Sequence, residues 1–210
     1  MRPQLRFLTP ETVERIVAEA YELLDDPGVR VHSARALRLL AGHGAQVDFA
    51  TQVAHIPEEL ARRAVETAPS SFYLYDAAGR PAVHYGGDDV QFDPGSAAIE
   101  ILDYGAKQSR PPVTADCVRF VQLVDGLPAL DAVATSLVCA DVPQAIADLY
   151  RLYLVLLHTG KPVVTGAFAV ETWRVMKDLL AAAAGGEEAL AERPRAVFDV
   201  CPSQPLLWSE

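Results

Sequence analysis

Three apolar segments carry the architecture: Ala132-Val133-Ala134-Thr135-Ser136-Leu137-Val138, Pro162-Val163-Val164-Thr165-Gly166-Ala167-Phe168 and Ala196-Val197-Phe198-Asp199-Val200. Each is apolar nearly throughout, as a strand covered on both faces must be. Counted from Ala132, Val163 and Ala196, they are separated by 31 and 33 residues, which is the period of a strand-plus-helix unit. Helical patterns fill the intervals, at 143–158 with Gly160 as its stop and at 172–184. Another helix, at 115–127 and capped by Thr114, precedes the first strand. The class is therefore α/β with a parallel sheet. Three such units do not complete a sheet of this kind, and no helix pattern follows the third strand. Pairing with a second copy would cover it, and so would a longer chain; the second is the preferred expectation.

Upstream, the pattern is different. Thr9-Pro10 marks a helix start, and Val13, Ile16, Val17, Ala20, Tyr21 and Leu24 recur at helical spacing until Asp25-Asp26-Pro27-Gly28. A second helix is expected from Ser33 to Gly42, and a third between Pro57-Glu58-Glu59 and Ala68-Pro69. From 71 to 112 the period becomes two. Phe72-Tyr73-Leu74-Tyr75 and residues 81–85 read as a hairpin, followed by short strands at 90–92, 98–102 and 107–110 in one small antiparallel sheet. The prolines of Ser109-Arg110-Pro111-Pro112 break helix and sheet alike. Two domains are expected: residues 1–113, of helices plus a small sheet, and residues 114–210, holding the three βα units.

The chain has 210 residues, half of them hydrophobic, and a net charge of −10. Proteins that grip phosphate backbones cluster Lys and Arg, so nucleic acid is excluded as the expected partner. The longest apolar runs are far too short to span a bilayer, no basic n-region precedes an apolar core, and a cytoplasmic location is expected. Cys117, Cys139 and Cys201 form no CxxC pair, which speaks against a disulfide framework and for a reducing interior. The five histidines are scattered at 32, 43, 55, 84 and 158, with no metal-binding spacing, so no metal site is expected.

Ligands of parallel βα architectures bind at the carboxyl ends of the strands. That rule selects Cys139-Ala140-Asp141-Val142-Pro143, Thr165-Gly166-Ala167-Phe168 and Cys201-Pro202-Ser203-Gln204. The candidate binding residues are Asp141, Thr165, Ser203 and Gln204. Asp141 reads either as the cap of the helix that follows it or as an anion for a cationic substrate. Ser203 and Gln204 could orient a polar group or simply make a turn. The cysteines at the strand ends read as small apolar residues. The aromatics of 72–92 read first as packing, and a subset could wall a quaternary ammonium group.

The order of several short strings is informative as a set. Gly28-Val29-Arg30-Val31, Gly44-Ala45-Gln46-Val47-Asp48, Ile56-Pro57-Glu58-Glu59-Leu60, Phe92-Asp93-Pro94-Gly95-Ser96, Asp103-Tyr104-Gly105 with Arg110, Thr114-Ala115-Asp116, Ala140-Asp141-Val142-Pro143, Thr159-Gly160-Lys161-Pro162 and Ser203-Gln204-Pro205-Leu206 together resemble the N-terminal region of the trimethylamine methyltransferase family. The resemblance implies a TIM (β/α)8 barrel, of which the first three βα units are present here, preceded by the helical region and the small sheet. It implies transfer of a methyl group from a tertiary or quaternary amine, such as trimethylamine or glycine betaine, to the cobalt of a corrinoid. That cofactor is carried by a separate corrinoid protein and is not bound by this chain directly. It also implies a chain about twice as long, so the 210-residue chain is expected to be inactive alone. The competing expectations are another TIM-barrel enzyme, such as a lyase using Lys161, and a non-catalytic module whose acidic helical N-terminus docks a partner.

Overall fold

The fold is that of a computed structural model, which describes residues 6–200 and 204–209. In chain order the elements are α1 (Pro10–Asp25), β1 (Val29–Val31), α2 (Ala34–Gly42), β2 (Gln46–Asp48), β3 (Val53–His55), α3 (Glu58–Thr67), β4 (Ser71–Tyr75), β5 (Pro81–Gly86), β6 (Ile101–Leu102), β7 (Ser109–Arg110), α4 (Thr114–Asp125), β8 (Val133–Ala134), α5 (Ala147–His158), β9 (Val163–Thr165), α6 (Val170–Ala184), α7 (Glu187–Glu192), β10 (Ala196–Phe198) and β11 (Leu207–Trp208). They gather into two compact units, Met1–Pro69 with Cys201–Glu210, and Ser70–Val200. The division expected at 113 thus falls inside the second unit.

The first unit holds the three expected helices. Thr9 Oγ1 accepts from the Thr12 amide at 3.3 Å, the N-cap as read, and Ser33, read as the first residue of its helix, caps it instead, its Oγ accepting from the Ala36 amide at 3.4 Å. Between the helices lie strands that the helical reading overlooked, in the order β11-β1-β3-β2. β1 runs parallel to β11 and antiparallel to β3, and β3 antiparallel to β2. Three-residue strands are too short to display an alternating pattern. Their core is Val29, Val31, Leu37, Ala45, Ala54 and Ile56, with Leu24, Leu60 and Trp208 packed against it. Gly28 is required at the entry to β1: it has φ +83°, and a Cβ there would sit 2.8 Å from the Ala54 carbonyl oxygen. The apolar face of α1 is only partly used. Leu24 packs inward, while Val13, Ile16 and Val17 stay exposed.

The second unit is built on a three-stranded parallel sheet in the order β10-β9-β8. Val163 pairs with Val133 on one side and Ala196 on the other, and Val164 with Ala134 and Val197. Successive side chains alternate faces. Val133 and Val163 meet Val121, Val124, Leu152, Val155, Met176 and Leu180 of α4, α5 and α6. Ala132, Val164 and Val197 turn the other way and meet Leu74, Val83 and Tyr85 of the β4-β5 hairpin. The hairpin therefore belongs with the sheet it covers, which is why the units part after Pro69. The proline run at 111–112 is bridged as well, because Arg110 before it binds Asp116 after it at 2.7 Å.

The single small antiparallel sheet expected over 71–112 is two separate ribbons, β4-β5 and β6-β7. Residues 90–92 form no strand; the Asp131 carboxylate takes the Phe92 amide instead, at 2.9 Å. The long helix expected from 143 begins as a 3-10 turn, Gln144–Ile146, before α5. The parallel strands are shorter than read, and among the described residues the sheet is open and forms no closed barrel.

Leu74 is fully buried against this sheet, whereas Leu102 is largely exposed. Leu74→Ala is expected to lower the stability of the second unit by about 3 kcal/mol, and Leu102→Ala by less than about 0.5 kcal/mol. Urea unfolding monitored on both variants checks the difference.

Candidate functional site

The carboxyl end of the parallel sheet is organised by carboxylates that tie down backbone amides. Asp141, exposed in the segment after β8, accepts the Thr114 amide with both oxygens, at 2.9 and 3.1 Å. It is a cap, but of α4, 27 residues earlier, and not of the helix that follows it. Asp116 completes that helix start. Its carboxylate takes the Val113 amide at 2.9 Å, as an N3 acid does in a capping box, and binds Arg110 at 2.7 Å and Arg119 at 2.5 Å. Arg110 turns its remaining donors to Asp103, at 2.7 and 2.9 Å, pinning the β6-β7 ribbon to α4. The guanidinium of Arg110 and the Val113 amide hold the Asp116 carboxyl well below the usual carboxylate range.

A second buried polar group lies between the sheet and its helices. Asp148 and Arg151, one turn apart on α5, are both buried. Asp148 accepts the Phe168 amide at 2.7 Å and the Thr172 hydroxyl at 2.5 Å, fixing the segment from β9 to α6. Arg151 donates to the Thr135 carbonyl at 2.7 Å and lies 4.6 Å over the Phe168 ring. Sequence reading missed both. The available signal was a charged pair at i, i+3 in an otherwise apolar helix.

Thr165 is buried, and its hydroxyl pairs with that of Thr135 at 3.0 Å on the face that Val163 shares. It serves the interior of the sheet-helix layer. Gln204 belongs to the first unit, where it makes a turn by exchanging backbone hydrogen bonds with Leu207 at 3.2 and 3.1 Å. Ser203 lies outside the described residues. Within the second unit, Asp141 and Thr165 thus serve different places, the start of α4 and the interior of the sheet-helix layer.

Alternation along the strands assigns other residues to the face opposite the helices. Beyond the last paired residues of β9 and β10, Gly166 and Asp199 continue the parity of Val164 and Val197, whereas Ser136 turns back on Ala134, its amide on that carbonyl at 2.9 Å and its hydroxyl on the Gly95 carbonyl at 2.8 Å. Asp199 is exposed, its amide is held by the Thr165 carbonyl at 2.7 Å, and its carboxylate has no hydrogen bond or ion pair among the described residues.

Lys161 stands at the opposite end. Its ammonium donates to the carbonyls of Val124, Leu127 and Leu130 at 2.9, 2.7 and 2.9 Å, which terminates α4. Fully engaged there, it is not a nucleophile, and this removes the ground for a lysine-dependent lyase. Among the described residues no three His, Cys, Asp or Glu side chains converge as a metal site, and no helix is long and apolar enough to cross a membrane.

The family model described as trimethylamine methyltransferase matches residues 1–210, and the chain belongs to that family. It is 29% identical to a trimethylamine methyltransferase MttB of Desulfitobacterium hafniense (strain DSM 10664 / DCB-2), over 93% of this chain and 40% of that protein. A trimethylamine methyltransferase MttB1 of Methanosarcina mazei is 27% identical over 97% of this chain and 42% of its own length. A glycine betaine methyltransferase of Desulfitobacterium hafniense (strain Y51) is 22% identical over 99% of this chain and 43% of its own length. The chain spans about two fifths of the length of these curated relatives.

Asp116→Asn is expected to cost about 1–2 kcal/mol, because two guanidinium groups lose their shared anion. The Asp116 carboxyl titrates lower in the folded chain than in the unfolded one, so its stabilisation is complete above about pH 4. It is lost as pH falls from there towards the folded-state value, where the unfolded chain binds more protons. Urea midpoints between pH 7 and pH 3 should fall less steeply in Asp116→Asn than in wild type.

Proposed function

We propose that this chain is the N-terminal part of a corrinoid-dependent methyltransferase acting on a tertiary or quaternary methylamine. The family match over the whole of residues 1–210 carries the reading. In it, β8, β9 and β10 open a (β/α)8 barrel, and the amine binds at their carboxyl ends. The corrinoid, held by a partner protein, supplies the nucleophile that accepts the methyl group. The chain's own task is to bind and orient the amine. A methyl group leaves nitrogen readily only when nitrogen is cationic and departs as a neutral amine, so the binding face needs a charge that holds the ammonium in line. Asp199 meets that requirement: among the described residues its carboxylate has no hydrogen bond or ion pair, and it continues the parity of Val197, which turns away from the helices. Asp141 serves the same face indirectly, by fixing the segment after β8 to α4. With two fifths of its relatives' length, the chain alone is inactive in methyl transfer.

Calorimetric titration of the full-length protein with glycine betaine, carnitine and trimethylamine tests the assignment. One of the three should bind, and Asp199→Asn should weaken it about tenfold, the loss of roughly 1.4 kcal/mol. Asp141→Asn should lower stability with little change in affinity. Absence of binding to all three amines would refute the substrate class.

A further inference from the structure

The sequence reads Cys139 as a small apolar residue at a strand end and offers no partner for Cys117. In the fold, Cys117 on the second turn of α4 and Cys139 on the segment after β8 bring their sulfurs to 2.6 Å, although 22 residues separate them. Both are buried, 6% and 2% exposed, in an apolar cluster with Leu137 and Leu154. Both remain free thiols in this structure. Bonding would require the sulfurs to close by only about half an ångström, to the usual ~2.05 Å.

We infer that Cys117 and Cys139 form a reversible disulfide that locks the segment carrying Asp141 onto the start of α4. Asp141 already ties the same two elements through the Thr114 amide, so the bond would make a labile attachment covalent. The environment favours the product over the reactive intermediate. Burial pushes both thiols up from their ordinary range, and thiolate is therefore scarce. The disulfide carries no charge and suits the Leu137–Leu154 surroundings. Arg151 eases deprotonation of Cys139, though less than burial opposes it. The bond therefore forms slowly, during folding or local opening, and persists once formed.

The oxidant required is a small-molecule disulfide. One cysteine thiolate attacks its S–S bond, forming a mixed disulfide and releasing one thiol. The other cysteine then displaces the second thiol and closes the protein bond. Two electrons pass from the cysteine pair to the oxidant, the two protons leave with the released thiols, and the protein loses two hydrogens.

The test begins with reduced chain unfolded in urea and diluted into a redox buffer of oxidised and reduced glutathione. It is then quenched with acid, alkylated in denaturant and digested with pepsin for mass spectrometry. A cross-linked peptide pair joining Cys117 to Cys139 should predominate, vanish on treatment with dithiothreitol, and persist in Cys201→Ser. Oxidation of the Cys201→Ser chain should also slow amide exchange in the first turn of α4 by roughly tenfold. Full alkylation of both cysteines in the refolded wild-type chain would overturn the proposal, as would a predominant link from either of them to Cys201. A cross-link without slower exchange would overturn the lock. The wild-type chain carries the main measurement, so the outcome does not depend on whether a Cys117→Ser or Cys139→Ser variant folds.

Discussion

A parallel strand must be covered on both faces, because neither face has the polar residues to meet water. In this protein the two covers come from different parts of the chain. Helices α4, α5 and α6 cover the face of Val133 and Val163, and the β4-β5 hairpin, laid down some sixty residues before β8, covers the face of Ala132, Val164 and Val197. The rest of the second unit follows from that arrangement. Leu74 and Val83 are buried by it, the compact unit begins at Ser70 because of it, and the carboxyl ends of the strands are left as the open end.

At that end the acids divide into two kinds. Asp116, Asp141 and Asp148 each accept a backbone amide, and each holds a loop or helix start in place. Such carboxylates substitute for the missing intrahelical partners of the first turn and gain from the helix dipole. Asp199 is of the other kind, with an engaged backbone and a carboxylate that has no partner among the described residues. A charge without an internal partner is available to a ligand. The role we propose for that charge is to hold an ammonium group.

Much of the fold was legible before any coordinate. The strands at 133, 163 and 196, the cap at Thr9 and the 72–85 hairpin all emerged from period and composition, because each is a local signal. The strands of the first unit were not legible. Three-residue segments acquire their conformation from partners distant in sequence, as β1 does from β11. The site was less legible than the fold. Asp141 was recognised as a cap, but the helix it caps starts at Thr114, and Thr165 proved to be an interior hydroxyl paired with Thr135. Asp148 and Arg151 passed unnoticed because an apolar helix masks two charged residues until its neighbours are known.

The sequence by itself determined the α/β class, the acidic character and the family, since each depends on residue type and order along one dimension. Only the tertiary structure decided that the hairpin belongs with the parallel sheet, that Lys161 ends a helix, and that Cys117 meets Cys139. Those facts arise from which faces find cover against each other. Chain order does not encode that choice locally, because burial is settled by the packing of whole elements.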